Sequence, residues 1–157
     1  MSIFNLLSPS SVLVNLEAKD SSEVIRTMGE KLKAQGFVGD DFVEATLKRE
    51  ENAPTGLILA GKYNAALPHV DLEYVKSSAL GLATLKKEVT FQNMVNKAEA
   101  VPVRLVIMLA LSDPKQQINA LGQISNLLQN PQVVDRLVES SNDRDIFSAL
   151  GEIETEI

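Results

Sequence analysis

Apolar and polar residues along this chain change repeatedly between the periodicity of strands and that of helices. Residues 11–17 (SVLVNLE) are rich in β-branched side chains and roughly alternate, which predicts a first strand. Pro and Gly divide residues 53–69 into turns and two short strands, the second ending at His69. Residues 77–85 predict another strand. Residues 101–111 (VPVRLVIMLAL) are almost continuously apolar, as expected of a central strand covered on both faces.

The predicted helices are bounded by capping residues. Asp20, with Glu23 three residues later, predicts the start of a first helix, and Gly36 predicts its end. Residues 39–52 and about 143–153 predict two more helices, and Asp113–Pro114 and Asn130–Pro131 are cap pairs that start another two. The apolar residues expected to face the core are Val24, Ile25, Met28 and Leu32 in the first helix, Phe42, Val43 and Leu47 in the second, and Ile118, Leu121, Ile124 and Leu128 in the helix after Asp113.

This order of elements predicts an α/β fold in which a mixed β-sheet is flanked by helices on both faces. The chain has 157 residues, of which 45% are hydrophobic, and this is enough for one well-filled core. No linker-like segment and no internal repeat divides it. We therefore expect residues 1–157 to form a single domain.

Charge and composition exclude several classes of function. The net charge is −6, and the 15 basic residues are dispersed among 21 acidic ones, so we expect no nucleic-acid partner. The chain has no cysteine and one histidine, which leaves neither disulfides nor a common zinc site, and no cofactor is expected. Residues 1–11 lack the pattern of a signal peptide, and residues 101–111 are too short to span a bilayer. We therefore expect a cytoplasmic protein without membrane insertion.

The single histidine, His69, is the strongest candidate for chemistry. It directly follows Pro68, which tends to end a strand, and strand ends of a covered α/β sheet are where ligands usually bind. A structural role is the alternative: a half-buried imidazole hydrogen-bonded at the end of a strand. A serine-hydrolase triad is disfavoured because the chain has no G-x-S-x-G motif.

A lone imidazole can act as a nucleophile toward a phosphoryl group and form a labile phosphohistidine. This chemistry requires a partner for the other ring nitrogen and a guanidinium or helix N-terminus for the phosphoryl oxygens. Arg49 and the hydroxyl of Thr55 are candidates in the segment before the His69 strand. For Arg49 the alternative is an ordinary solvated cation at the end of a helix.

Several short motifs in this order carry a resemblance to a known family. LKREENAPTG is followed by AALPHV, then KSSA, then a long apolar strand and DPKQQINAL. This arrangement resembles the enzyme IIA domain of the fructose–mannitol class of the bacterial sugar phosphotransferase system (PTS). The resemblance covers nearly the whole chain, and its details look most like the galactitol-type branch.

The resemblance implies a function and its residues. In that family the His of the P-H motif accepts a phosphoryl group from the phosphocarrier protein HPr. It then passes the group to a cysteine of the cognate enzyme IIB, which acts with the membrane enzyme IIC. His69 matches the phosphorylated His, Arg49 matches the family Arg beside it, and Thr55 matches the Thr of P-T. The implied substrate is galactitol or a related carbohydrate.

One departure concerns a second active-site histidine of mannitol-type members, at the start of the helix after the long strand. The matching position here is Gln117, or Gln116 if the register shifts by one. Glutamine can donate a hydrogen bond to a phosphoryl oxygen but carries no charge near neutral pH. Two further possibilities remain open: a regulatory module in which phospho-His69 controls a protein partner, and a binding domain in which His69 is structural.

Overall fold

In the computed structural model, which describes residues 2–156 and side chains as far as Gly151, five strands form one mixed sheet. The strand order is β1-β4-β5-β3-β2. The strands β1 and β4 are parallel, as are β3 and β5, whereas β4–β5 and β2–β3 are antiparallel. The bounds are β1 Leu7–Leu16, β2 Gly56–Leu57, β3 Asn64–Ala66, β4 Ala79–Gln92 and β5 Ala100–Ala110.

Helices cover both faces of this sheet. Helices α1 and α2 form one apolar core with one face, and α3, α4 and α5 form a second core with the other. Short 3-10 helices lie at Ile3–Leu6 and Leu72–Tyr74. The helix bounds are α1 Ser21–Ala34, α2 Phe42–Asn52, α3 Pro114–Leu128, α4 Pro131–Val138 and α5 Asp143–Glu156. The predicted α/β class, with a mixed sheet between two helical layers, is confirmed. Within the described residues, the helices are too short or too polar to cross a membrane.

The capping residues act as predicted. The Asp20 side chain accepts a hydrogen bond from the amide of Glu23, and Gly36 adopts a φ of +84° after α1. At α3 the Asp113 side chain accepts from the amide of Lys115, with Pro114 in the first turn. Asn130 caps α4 in the same way. These polar groups satisfy amides that would otherwise lack a partner at the start of each helix.

The structure corrects the predicted strand bounds. The first strand begins at Leu7 rather than at residue 11, and β4 continues beyond residue 85 to Gln92. The part of β4 that we missed includes three consecutive exposed charged residues, 86–88, which interrupt the apolar pattern while antiparallel pairing with β5 resumes at Val89. The third strand ends at Ala66, so the predicted strand up to His69 is wrong in extent. His69 forms only an isolated bridge with Leu109.

The inward face of α3 also differs from the prediction. Ile118 and Leu121 remain 75% and 40% exposed, and the buried residues of this helix are Ala120, Ile124, Leu127 and Leu128. Two overlapping stripes of helical periodicity share Ile124 and Leu128, and the larger apolar residues favoured the wrong one. The small Ala120 is instead fully buried in the core.

The topology brings four chain segments to one end of the sheet. The parallel strands β3 and β5 both end there, leading to His69 and to the start of α3. The antiparallel strands β2 and β4 both begin there, which places the end of α2 and the segment before Ala79 at the same edge. The first position of β2, Gly56, requires glycine because an added Cβ would lie 2.6 Å from the carbonyl oxygen of Gln92. All the motifs quoted above therefore converge.

Candidate active site

A shallow depression of about 330 Å³ lies at this end of the sheet. Its lining joins three of the four residues predicted to form the site, Arg49, His69 and Gln117. The remaining lining residues are Val70, Asp71, Leu72 and Glu73, which follow the histidine directly. Residues that are 20 and 48 positions from His69 in the sequence are thus brought to one place by the strand order.

The His69 ring is half-buried, and one of its nitrogens has a backbone partner. Nδ1 lies 2.7 Å from the carbonyl oxygen of Leu67, which can only accept a hydrogen bond. In the neutral imidazole, Nδ1 therefore carries the hydrogen and Nε2 carries the lone pair. The strand end holds this arrangement, because the amide of Leu109 in β5 donates to the carbonyl of Pro68 at 3.1 Å.

The surroundings favour the uncharged form of this imidazole. Burial lowers the pKa of His69 below its ordinary value, and the nearby guanidinium of Arg49 lowers it further. The Leu67 carbonyl and the carboxylate of Asp71 act in the opposite direction but do not outweigh burial. Near pH 7 the ring is thus neutral in a larger fraction of molecules than an ordinary histidine would be. Only the neutral ring has a nucleophilic nitrogen.

Arg49 lies in the last turn of α2, as predicted, and lines the depression beside His69. Its Nη1 is 3.5 Å from the carbonyl oxygen of Ala53, a long contact at the helix end. A guanidinium offers five N–H donors in a planar fork that suits phosphoryl oxygens. The structure therefore places a cationic donor group in the same depression as the imidazole.

The structure distinguishes the two adjacent glutamines of α3. Gln117 lines the depression, and its backbone N–H donates to the backbone carbonyl of Asp113 within the first turn of the helix. Gln116 instead accepts a hydrogen bond from the hydroxyl of Ser78 at 2.5 Å, and that hydroxyl also contacts Ser112. Of the two alternatives, Gln117 is the one that shares the depression with His69.

Thr55 departs from the expectation. It is 1% exposed, and its hydroxyl donates to Oε1 of Glu50 at 2.8 Å instead of lining the depression. Its amide donates to the other carboxylate oxygen of Glu50, also at 2.8 Å. Both donors of Thr55 thus bond to the half-buried carboxylate of Glu50, so its side chain has no donor left for a phosphoryl oxygen.

Sequence reasoning missed three features of this site. The carbonyl of Leu67 is a backbone group, and nothing in its residue type predicts that it contacts His69. The exposed carboxylates of Asp71 and Glu73 on the rim follow the histidine directly, so their positions could have drawn notice. Glu50 belongs to the quoted LKREENAPTG segment, but its hydrogen bonds with Thr55 become evident only in the fold. The described residues contain no group of three or more His, Cys, Asp or Glu side chains placed to hold a metal ion.

Comparison with known proteins identifies the family of this chain. Residues 5–153 match the family model described as phosphoenolpyruvate-dependent sugar phosphotransferase system, EIIA 2. The chain belongs to this family. It is 35% identical to the galactitol-specific EIIA component of the PTS from Escherichia coli K12. The alignment spans 119 residues and covers 76% of this chain and 78% of the relative. EIIA domains of this family are phosphotransferase components of the PTS.

Solved structures of related domains share the fold. The mannitol IIA of E. coli superposes with a TM-score of 0.74 at 25% identity, covering 91% of this chain and 97% of that one. A second structure is a complex of enzyme IIAMTL with phosphorylated enzyme IIBMTL from E. coli. Its matching chain gives a TM-score of 0.78 at 24% identity, covering 94% of this chain and 99% of the other.

Proposed function

We propose that this chain is the enzyme IIA component of a carbohydrate uptake system and that it carries a phosphoryl group on Nε2 of His69. The observation that carries the proposal is the hydrogen bond between Nδ1 and the Leu67 carbonyl, which leaves the lone pair on Nε2. Arg49 and Gln117 in the same depression supply donors for the phosphoryl oxygens. The whole of residues 1–157 acts as one phosphotransfer domain.

The first transfer is from phospho-HPr. Nε2 of His69 attacks the phosphorus, the new N–P bond forms, and the N–P bond to the donor imidazole breaks. The His69 ring gains positive charge during this step. The Leu67 carbonyl stabilises that charge because its hydrogen bond to Nδ1–H strengthens as the ring becomes cationic.

The second transfer is to a cysteine thiolate of the cognate enzyme IIB, which passes the group on toward the membrane enzyme IIC. The S–P bond forms as the N–P bond to His69 breaks, and the ring returns to its neutral form with Nδ1 still protonated. The absence of cysteine from this chain is consistent with an acceptor thiol on the partner. The carboxylates of Asp71 and Glu73 on the rim disfavour a lasting dianion, which suits a group that must leave again.

A shallow site suits a carrier that exchanges its group with two proteins. The half-buried His69 can be approached in line by a donor protein and then by an acceptor, whereas a deep pocket would enclose a small ligand. Such a site contacts a phosphoryl group and not a sugar. We propose galactitol or a related carbohydrate as the substrate of the system, on the likeness to the galactitol-specific relative alone.

Phosphotransfer from labelled phosphoenolpyruvate tests this function. With enzyme I and HPr present, the wild-type chain should gain one acid-labile phosphoryl group, and His69→Ala should gain none while keeping its melting temperature. Adding the cognate enzyme IIB should discharge the label. Label on His69→Ala would disprove the assignment, and labelling without discharge to any enzyme IIB would favour the regulatory module over transport.

A further inference from the structure

Glu50 is adjacent to Arg49 in α2 but contacts a different part of the molecule. Arg49 lines the depression, whereas the Glu50 carboxylate accepts two hydrogen bonds from Thr55, one from the amide and one from the hydroxyl. Both are 2.8 Å long. A carboxylate that accepts two donors from one residue fixes that residue's backbone and side chain together. Glu50 therefore holds the turn between α2 and β2.

The turn is connected to the histidine by two more hydrogen bonds. The carbonyl of Thr55 accepts from the amide of Leu67 at 3.2 Å, beyond the last paired residues of β2 and β3. The carbonyl of the same Leu67 accepts from Nδ1 of His69 at 2.7 Å. Only two residues, Thr55 and Leu67, thus connect the Glu50 carboxylate to the imidazole ring. A displacement of Thr55 would be passed to the carbonyl that fixes the ring tautomer.

The placement of Glu50 is costly, which indicates that its two bonds are needed. Burial raises the pKa of Glu50, although the hydrogen bonds from Thr55 and the charge of Arg49 partly oppose this. A carboxylate withdrawn from water loses stability unless hydrogen bonds replace its hydration. Neighbouring Glu51 is exposed, so the helix end offers an ordinary position for an acidic residue that Glu50 does not use.

We propose that Glu50 is a positioning residue for His69: through Thr55 and Leu67 it holds the imidazole with hydrogen on Nδ1 and its lone pair on Nε2. Its effect on phosphoryl transfer rests on the proposed function, whereas its effect on the ring does not. Glu50 touches no phosphoryl oxygen. It acts on the orientation of the ring that does the chemistry, so its loss should lower the rate of transfer rather than weaken the binding of phospho-HPr.

The first test is the tautomer of His69, measured by ¹⁵N NMR of the imidazole at a pH where the ring is neutral. The wild-type chain should show a single tautomer with hydrogen on Nδ1, and Glu50→Ala should show a mixture of both. Glu51→Ala is the matched control and should resemble the wild type. An unchanged single tautomer in folded Glu50→Ala would overturn the proposal, whether or not the chain transfers phosphoryl groups.

The second test is the rate of phosphoryl transfer from HPr, measured well below the melting temperature of each variant. Glu50→Ala should lower kcat by about tenfold to a hundredfold and change KM for phospho-HPr by less than about threefold. Glu50→Gln should recover most of the rate, because its amide oxygen can accept from the Thr55 amide while its NH₂ donates to the Thr55 hydroxyl. A wild-type kcat in Glu50→Ala with only a lower melting temperature would reduce Glu50 to a structural residue.

A third variant keeps the proposal testable if Glu50→Ala does not fold. Thr55→Val removes the hydroxyl donor but retains the amide donor, so it should give a smaller fall in kcat and a smaller tautomer change than Glu50→Ala. If Glu50→Ala does not fold, an unchanged kcat together with an unchanged tautomer in folded Thr55→Val would overturn the proposal. If the wild-type His69 accepts no phosphoryl group, the proposed function fails, and the NMR result alone decides the role of Glu50.

Discussion

The two sides of the His69 depression are built differently. On one side, the end of α2 contributes the charged Arg49, and the adjacent Glu50 connects through Thr55 to the backbone that fixes the ring. On the other side, the start of α3 contributes the neutral amide of Gln117 and the partial positive charge of a helix N-terminus. Among the residues that line the depression, the α2 side thus contributes a full cation, whereas the α3 side contributes neutral donors.

Adjacent residues on both sides have divided roles. Arg49 lines the depression, whereas Glu50 bonds to Thr55 in the turn behind it. In the same way Gln117 lines the depression, whereas Gln116 bonds to Ser78. Successive helical positions differ by about 100° around the axis, so one residue faces the site while its neighbour faces the supporting structure. This difference lets each side be tested with a matched neighbour as the control.

Removing the charged side should have the largest effect. Arg49→Ala should slow transfer from phospho-HPr by more than about a hundredfold, because a charge-assisted pair of hydrogen bonds to the phosphoryl oxygens is lost. Arg49→Lys should remain at least about tenfold slower than the wild type, since an ammonium lacks the planar pair of donors. Rapid-quench kinetics measure both, with Lys48→Arg on the exposed neighbouring position as control. A wild-type rate for Arg49→Lys would contradict bidentate holding by this residue.

Removing the neutral side should have a smaller effect. A donor hydrogen bond to a charged oxygen contributes about 1.5–3 kcal/mol, so Gln117→Ala should slow transfer by about tenfold to a hundredfold. Gln117→His should be tolerated, because an imidazole at this position can also donate. Gln116→Ala is the control, since Gln116 bonds to Ser78 instead. Equal rates for Gln117→Ala and the wild type would make Gln117 a surface residue without a part in transfer.

The smallest expected effect is on the pH dependence of stability. Burial lowers the pKa of His69 in the folded chain below the unfolded value of about 6.5. Between these two pKa values the unfolded chain therefore binds more protons than the folded chain. The free energy of unfolding should therefore decrease as the pH falls through 6.5 toward the folded-state pKa, and the effect of His69 should vanish above that window. Urea denaturation of the wild type and of His69→Gln at several pH values isolates the contribution of His69, because it is the only histidine in the sequence. Parallel profiles for the two proteins would show that the ring is not held neutral.

The elements that sequence could predict are those with local signals. Asp20, Gly36 and Asp113 mark helix ends through their own side-chain or backbone geometry, and the continuous apolar run of β5 marks a central strand. The far half of β4 was missed because the exposed charged residues 86–88 interrupt the apolar pattern before pairing with β5 resumes at Val89.

The site shows the same division. His69, Arg49 and Gln117 could be named from short motifs, and the strand order brings them together. The Thr55 hydroxyl bonds to Glu50 five residues earlier, and the His69 ring bonds to the Leu67 carbonyl two residues earlier, but no residue type predicts either contact. The motifs therefore pointed to this region of the chain, and only the fold separates the residues that line the depression from those that support them.

The most direct test is to identify the phosphorylated nitrogen by ³¹P and ¹⁵N NMR of the ¹⁵N-labelled chain after phosphorylation by HPr. The hydrogen bond from Nδ1 to the Leu67 carbonyl predicts one phosphoryl group on Nε2 of His69, with Nδ1 still carrying its hydrogen. Phosphorylation at Nδ1, or at any residue other than His69, would contradict the account.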